Sequence, residues 1–328
     1  MEPATGDAAQ VRLIAHDLLR KLEVIERLAT SLEEERIDGQ LASAFDECLA
    51  QLGKLNLWGP ANRLPSSELW NVAGHLLTRG WLQNRARTKP RGYVGDHEML
   101  ARIYERRLCD EPLGRLFDRY FQEQAAPQAV RNRMTMMAEW IVQSAATTDR
   151  LTRIAVVGSA FGLEIRDALL RLDETVRPHV HVTLLDLDPA AIDFARAQLA
   201  PLLAPERLTA ISTNLFRLPD RPDAASVLGG ANLLFCPGLF DYLDDDAAVA
   251  MLRCLYQQLT PGGRLTVFQF APHNPTRAYM EWFGNWYLTY RDAVALRRLV
   301  ASAESPSAAV AFGAEPLGID LFATITRL

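Results

Sequence analysis

Cysteine is scarce in this 328-residue chain, and the four present, Cys48, Cys109, Cys236 and Cys254, lie far apart. There is no C-x-x-C pair and no Cys/His cluster. That argues against a zinc site or a disulfide framework and for a reducing cytoplasm. Long apolar runs are missing too: nothing approaches the ~18 consecutive apolar residues of a membrane span. The opening segment is charged throughout, so no secretory leader is expected. Positive charge is not in excess: 35 Lys+Arg against 40 Asp+Glu leave −5, which gives no electrostatic footprint for nucleic acid. No internal repeat occurs. What remains is ordinary globular usage, 49% hydrophobic and 23% charged, over a length that suits roughly two domains.

The texture changes near residue 150. Before it, helix follows helix. Val11, Ile14, Leu18, Leu22, Ile25, Leu28 and Leu32 recur at spacings of three and four, one apolar stripe that docks on its own domain or serves as a homodimer seam. A further helix is expected from Ser67 to Gln83, a basic run from Arg85 to Arg91 that Gly92 and Gly95 make a loop, and helices around Asp96–Arg107 and Ala126–Ser144. After it, short buried-type strands at Ile154–Val157, His181–Leu185, Leu208–Thr213, Asn232–Cys236 and Arg264–Phe270 alternate with helical patterns. That alternation predicts βαβ units and a mainly parallel sheet. Ala308–Phe312 and Leu321–Thr326 read as a closing hairpin, so one of them should run antiparallel. The expected domains are 1–150, helical, and 151–328, α/β.

Candidate ligand-binding residues collect where these strands end. The first strand runs into Gly158-Ser159-Ala160-Phe161-Gly162 and straight on into a helix. Glycine there permits a tight turn and a close backbone approach by a ligand. A nicotinamide-binding unit would place its third small residue where Leu163 stands, and no lysine-bearing phosphate loop is present. The second strand ends at Asp186, 28 residues after Gly158, followed by Leu187, Asp188 and Pro189. A carboxylate at that tip can accept both ribose hydroxyls of a nucleoside; Asp188 suits a helix cap, with Pro189 opening the helix. The third strand leads to Asn214 and Leu215, and the fourth to Pro237 and Gly238.

The G-x-A-x-G turn, followed by these stations in order, resembles class I S-adenosylmethionine-dependent methyltransferases. The resemblance implies a Rossmann-like α/β sheet of seven strands beneath an all-helical N-terminal domain, with S-adenosyl-L-methionine as cofactor. Longer strings narrow it. Pro90–Met99 with Ile103-Tyr104, Gln128–Arg133, Gly238–Leu243 and Asn274–Asp292 resemble a bacterial family associated with an extracellular 3-hydroxypalmitic acid methyl ester signal. The chain is also similar to N-methyltransferases acting on the guanidino group of L-arginine in nitrosourea biosynthesis.

Methyl transfer from a sulfonium is an in-line displacement that needs a positioned nucleophile ~3–3.5 Å from the methyl carbon, and water excluded. Neither a metal nor a covalent intermediate is required. The stretch Arg277–Asp292 holds three of the eight tyrosines and two of the six tryptophans, and at helical spacing Tyr279, Trp282, Trp286 and Tyr290 would form one stripe. A fatty acid would need an aliphatic slot and a cation such as Arg91, Arg277 or Arg291. A guanidino group would need carboxylates to orient it, beside aromatic faces. Asp96, Glu98, Asp241 and Glu281, near Tyr93, Tyr242, Tyr279 and Trp282, favour the cationic nitrogen; each carboxylate could equally cap a helix or hold an arginine. Arg91–Asp96 could form a lid hinged at Gly92 and Gly95, bringing Tyr93 to the reacting groups. His273 is the histidine placed to act as general base. The expected partner is thus a small-molecule acceptor, with no nucleic acid and no membrane. Two readings compete with nitrogen methylation: carboxyl O-methylation of a 3-hydroxy fatty acid, and a protein that binds the cofactor without turning it over.

Overall fold

A computed structural model describes residues 5–29, 34–146, 151–304 and 308–328. The chain divides into two compact units: residues up to Gln128 with Asn274–Leu288, and Ala129–His273 with Thr289–Leu328. This division differs from a cut at 150 in two ways. It falls inside a long helix, and the aromatic segment after the fifth strand returns to the helical unit.

In the first unit α1 (Thr5–Leu28), α2 (Glu34–Gly53) and α3 (Arg63–Leu77) pack together. The α1 stripe Val11, Ile14, Leu18, Leu22 and Ile25 is buried, as amphipathic spacing demands; Leu32 lies outside the described residues. The helix expected over 67–83 is instead two, because the chain breaks at residues 78–80 before α4 (Trp81–Thr88). A Cβ at Gly80 would approach Phe117 to 2.9 Å, so the bend is packed too tightly for a side chain. Arg85–Thr88 are therefore helical, not loop. Lys89 ends α4 in the left-handed region, just before Pro90. Then come α5 (His97–Tyr104), α6 (Pro112–Gln122) and α7 (Ala125–Ala146), which crosses the unit boundary.

The second unit is a seven-stranded sheet in the order β3-β2-β1-β4-β5-β7-β6. Its strands are β1 (Thr152–Val157), β2 (Val180–Asp186), β3 (Leu208–Ser212), β4 (Ala231–Cys236), β5 (Leu259–Phe270), β6 (Ala308–Ala314) and β7 (Asp320–Arg327). Each expected strand is present. Five are parallel, β7 runs antiparallel to both β5 and β6, and the closing pair forms the hairpin. This is a Rossmann-like α/β arrangement, with the strand order reversing between β1 and β4. Near-continuous burial along β1, β2 and β4 reflects helices on both faces. The helices are α8 (Leu163–Arg171), α9 (Pro189–Leu199), α10 (Ala224–Leu228) and α11 (Asp245–Gln257), with α12 (Arg277–Trp282) in the first unit and α13 (Ala293–Ser302) closing the second.

Tyr279, Trp282, Trp286 and Tyr290 do not share a helix. α12 ends at Trp282, Gly284 follows, and Asn285 adopts φ 49°, which no helix can continue through. Among the described residues no helix is long and apolar enough to cross a membrane.

Candidate functional site

In an open parallel sheet, ligands bind outside the carboxyl ends of the strands, at the point where strand order reverses. Here that point gathers the ends of β1, β2, β3 and β4. Gly158 follows β1 with φ +76°, Gly162 opens α8 with φ +64°, and Ala160 between them is held at φ +47°, unusual for a residue with a Cβ. A methyl added at Gly158 would meet only Leu215 Cδ1, at 3.9 Å, and one at Gly238 would meet nothing within 4 Å. Both backbones are thus open to close approach.

Asp186 ties the first two tips together. Its Oδ2 accepts the Ala160 amide at 2.7 Å, and its Oδ1 accepts the Asp188 amide at 2.9 Å. Burial pushes this carboxyl up to about 6, although both amides favour the charged form. Each oxygen keeps a further lone pair beyond these bonds. Ser159 is buried within the turn, and its hydroxyl oxygen has no hydrogen-bond partner. Leu187 is 41% exposed beside Asp186. Asp188 caps α9 by accepting from the Ala190 amide, with Pro189 at the first helical position. Asn214 is exposed and accepts the Phe216 amide, a cap that fixes its carbonyl oxygen and leaves the amide nitrogen out of that bond. Leu215 is buried beneath it, and Pro237 and Gly238 are half-buried after β4.

One residue at this crevice carries no motif. Glu164 lies two positions past Gly162, inside the first turn of α8, and is almost fully buried. Burial pushes it up to about 7, with Arg133 pulling the other way. A glutamate among apolar residues, two positions after a turn glycine, was the available signal.

The acceptor candidates fall into separate neighbourhoods. In the second unit, Asp241 is buried and anchors backbone. Its Oδ1 accepts from Gln269 Nε2 at 2.9 Å and from the Phe270 amide at 2.8 Å. Burial and the nearby Asp320 carboxylate push it well above the ordinary range, so it is a poor partner for a cation at neutral pH. Tyr242, next to it, is 40% exposed. His273 is exposed, with Nε2 3.0 Å from the Gly318 carbonyl in the β6–β7 turn. That contact gives the ring a structural partner and no geometric claim to general base. Arg291 donates to Gln269 Oε1 and to the carbonyls of Phe240 and Leu243, which commits it to the fold.

In the first unit, Asp96 is a helix cap. It accepts the Met99 amide and forms a 2.8 Å ion pair with Arg85, itself lying over Trp81. Glu98 pairs with Arg85 at 3.0 Å and Arg91 at 2.8 Å. Tyr93 is half-buried between Gly92 and Gly95, both at positive φ. Glu281, expected to be catalytic, is buried and paired with Arg277 at 2.8 Å, and it accepts the Gly59 amide at 2.7 Å. Tyr279, expected to line a substrate pocket, is core: it stacks on Phe121 at 5.0 Å and donates its hydroxyl to Gln83 Oε1 at 2.7 Å. Trp282 is fully buried, its carbonyl accepting from Trp70 Nε1 and Ser66 Oγ. Of the carboxylates in this unit, Asp96, Glu98 and Glu281 each hold an arginine, and Asp96 also caps a helix.

Among the described residues no cluster of three metal-ligating side chains occurs, and the four cysteines are free thiols.

No family model and no curated protein matches the chain. Among solved structures, a possible exported protein from Bordetella parapertussis is similar over 100% of this chain and 99% of its own, at 16% identity and TM-score 0.57. That likeness supports the fold alone. The apo form of the S-adenosylmethionine-dependent methyltransferase SibL matches at 18% identity, over 98% of this chain and 96% of its own, with TM-score 0.47. Magnesium protoporphyrin IX methyltransferase from Synechocystis PCC 6803, with bound SAM, matches at 12% identity over 62% and 84%, with TM-score 0.43.

Proposed function

We propose that this chain is an S-adenosylmethionine-dependent methyltransferase acting on a small molecule. The observation that carries the reading is the Asp186 carboxylate bridging the turn after β1 and the tip of β2, with lone pairs left over. Ribose hydroxyls are donors of the right kind for those lone pairs. The group fits its surroundings: Ser159 brings a buried hydroxyl without a partner, and Gly158 and Gly238 leave backbone open on either side. Asp186 would hold the ribose, Asn214 would offer its amide nitrogen to the adenine end, and Leu187 and Leu215 would provide apolar contact. When bound, S-adenosylmethionine supplies an electrophilic methyl group on a sulfonium. The chain's own task is to orient the acceptor and exclude water; no covalent enzyme intermediate is required. Cys236 suits no nucleophilic role, since burial pushes its thiol up to about 12.

The favoured acceptor is a cationic nitrogen, with the L-arginine guanidino group as the compound to test. It rests on the acidic and aromatic residues of the segments carrying the family resemblance. Carboxyl O-methylation of a 3-hydroxy fatty acid is the second reading, and one observation favours it. Asp96 and Glu281 already hold arginines, and Asp241 is pushed toward its neutral form, so three carboxylates that would orient a guanidinium are spent. A reducing cytoplasm is the matching compartment.

Calorimetry with S-adenosylhomocysteine tests the cofactor assignment, and absence of binding overturns it. Incubation with methyl-labelled cofactor and either L-arginine or 3-hydroxypalmitate then separates the acceptors. Label in neither product, despite binding, favours a cofactor-binding protein without this activity.

A further inference from the structure

The opposite end of the sheet carries a feature unrelated to the cofactor crevice. Arg153, at the start of β1, is paired in register with His181 on β2. Val182 pairs with Leu208, so Arg207, one residue earlier, lies level with His181 on its other side. Arg207 is the last residue of the 3-10 turn Pro205–Arg207 that leads into β3, so the three basic residues lie level where three adjacent strands begin, Arg153 and His181 on strands and Arg207 just before one. Strands stand ~4.8 Å apart, so the outer two are about 10 Å apart at the backbone, close enough for long arginine arms to converge. Side chains two residues along a strand share a face. The next row on this face is Ala155, Thr183 and Thr209, again in register, and it adds two hydroxyl groups.

This face is open. α10 has only five residues, and beneath it lies a groove of about 320 Å³ lined by Arg153, His181, Thr183, Thr209, Ser226 and Gly229, among others, with Arg207 outside the lining but close enough to act on the His181 ring. No acidic residue lines it. Among the described residues the Arg153 guanidinium has no hydrogen-bond or ion-pair partner; only its backbone amide is engaged, by Asn232 Oδ1. Asp223, at the start of α10, is already bound by Arg221 at 2.6 Å. Like charges directly opposite on neighbouring strands repel. Burial, then Arg153 and Arg207, accordingly push the His181 imidazole down. Two arginines flanking a histidine, with nearby hydroxyls and no acid lining the groove, are complementary to a compact, multiply charged oxyanion.

We propose that Arg153, His181 and Arg207, with Thr183 and Thr209, form a second binding site for a phosphoryl group, separate from the cofactor crevice. The arginines supply charge, and the His181 ring and the threonines supply donors. The ligand is free phosphate or a small phosphomonoester, since both present the same group.

The test is NMR titration of His181 in the full chain, with inorganic phosphate and glycerol 3-phosphate in separate arms and chloride at matched ionic strength as reference. An anion between the two arginines offsets their repulsion, so the His181 midpoint should rise by ~0.5 unit or more in at least one arm. The arm with the larger shift at equal concentration identifies the source. Arg153→Ala and Arg207→Ala should each abolish the difference while leaving S-adenosylhomocysteine affinity unchanged. In a parallel thermal melt, phosphate should raise the midpoint of the parent chain by mass action and not that of either variant. Equal midpoints in phosphate, glycerol 3-phosphate and chloride overturn the proposal. So does a shift that survives both substitutions, which is generic screening.

Discussion

Replacing Asp186 by asparagine separates what this residue does for the ligand from what it does for the fold. Two ribose hydroxyls donating to a carboxylate lose charge assistance when the acceptor becomes an amide. A hydrogen bond to a charged group contributes ~1.5–3 kcal/mol, so the Kd for S-adenosylhomocysteine should rise ~10- to 150-fold. The fold experiences two opposing effects. Burial pushes the carboxyl from 3.8 to about 6, so ionisation in the folded state costs about 3 kcal/mol at neutral pH, at ~1.4 kcal/mol per unit. Asparagine removes that cost. It also leaves either the Ala160 or the Asp188 amide facing an NH2 group, at ~1–3 kcal/mol. The two nearly cancel, and the melting midpoint should move by no more than ~4 °C. The pH dependence has opposite signs for folding and binding. A raised carboxyl pKa means stability is greatest below about 4, declines as pH rises to about 6, and is flat above. Ribose binding prefers the ionised form, so affinity is constant above about 6 and weakens below it. The asparagine variant should show neither dependence. Calorimetric titration at pH 7.5 and 5.5, with thermal melts alongside, measures all of this. A variant whose Kd lies within twofold of the parent, with a pH-independent parent, refutes the ribose assignment.

Glu164→Gln should stabilise the protein at pH 8 by up to ~3 kcal/mol and leave it unchanged at pH 4, because a carboxyl raised to about 7 resists ionisation in the fold; urea unfolding at the two pH values reads the difference. Gly162→Ala should cost ~1–2 kcal/mol from its positive φ alone, and its Cβ would also press on Leu184 at 3.4 Å; equilibrium denaturation measures it. Arg133→Met removes the partner of a fully buried Asp320, an ion pair at 2.8 Å. Breaking such a pair costs ~3–5 kcal/mol, more at pH 8 than at pH 5, where Asp320 can take up a proton. Arg133→Met/Asp320→Asn should recover most of that loss.

The sheet was legible because buried strands are short apolar runs between glycines and prolines, and alternation with helices leaves little choice of topology. Only β5 extends well beyond expectation, through the Pro261-Gly262-Gly263 turn that opens it. The helical unit was less legible. Breaks at Gly80 and Asn285 depend on side chains that crowd the backbone or on a left-handed residue, neither of which periodicity registers. The meeting of Gly158 and Asp186 could be read because topology brings them to neighbouring strand tips, at a spacing the chain itself reveals. The acceptor residues could not. Glu281 meets Gly59, and Tyr279 meets Gln83, across 222 and 196 residues of sequence, with the whole of Ala129–His273 between them. A carboxylate beside aromatics in sequence is thus no guide to what it touches.

What singles out the crevice is a concentration of features the fold would do better without. Ala160 is held at φ +47°, and two turn glycines occupy positive φ within five residues. Asp186 and Glu164 are both buried at the expense of their charge, and Ser159 forgoes a hydrogen bond. Asp320, by contrast, finds a cation in Arg133, and Asp241 finds two donors in Gln269 and the Phe270 amide. A purely structural strand-to-helix turn could be made from apolar residues with no such cost. Strain, unsatisfied polarity and shifted carboxyls coincide where the strand order reverses, and a ligand that accepts and donates hydrogen bonds there would relieve each of them.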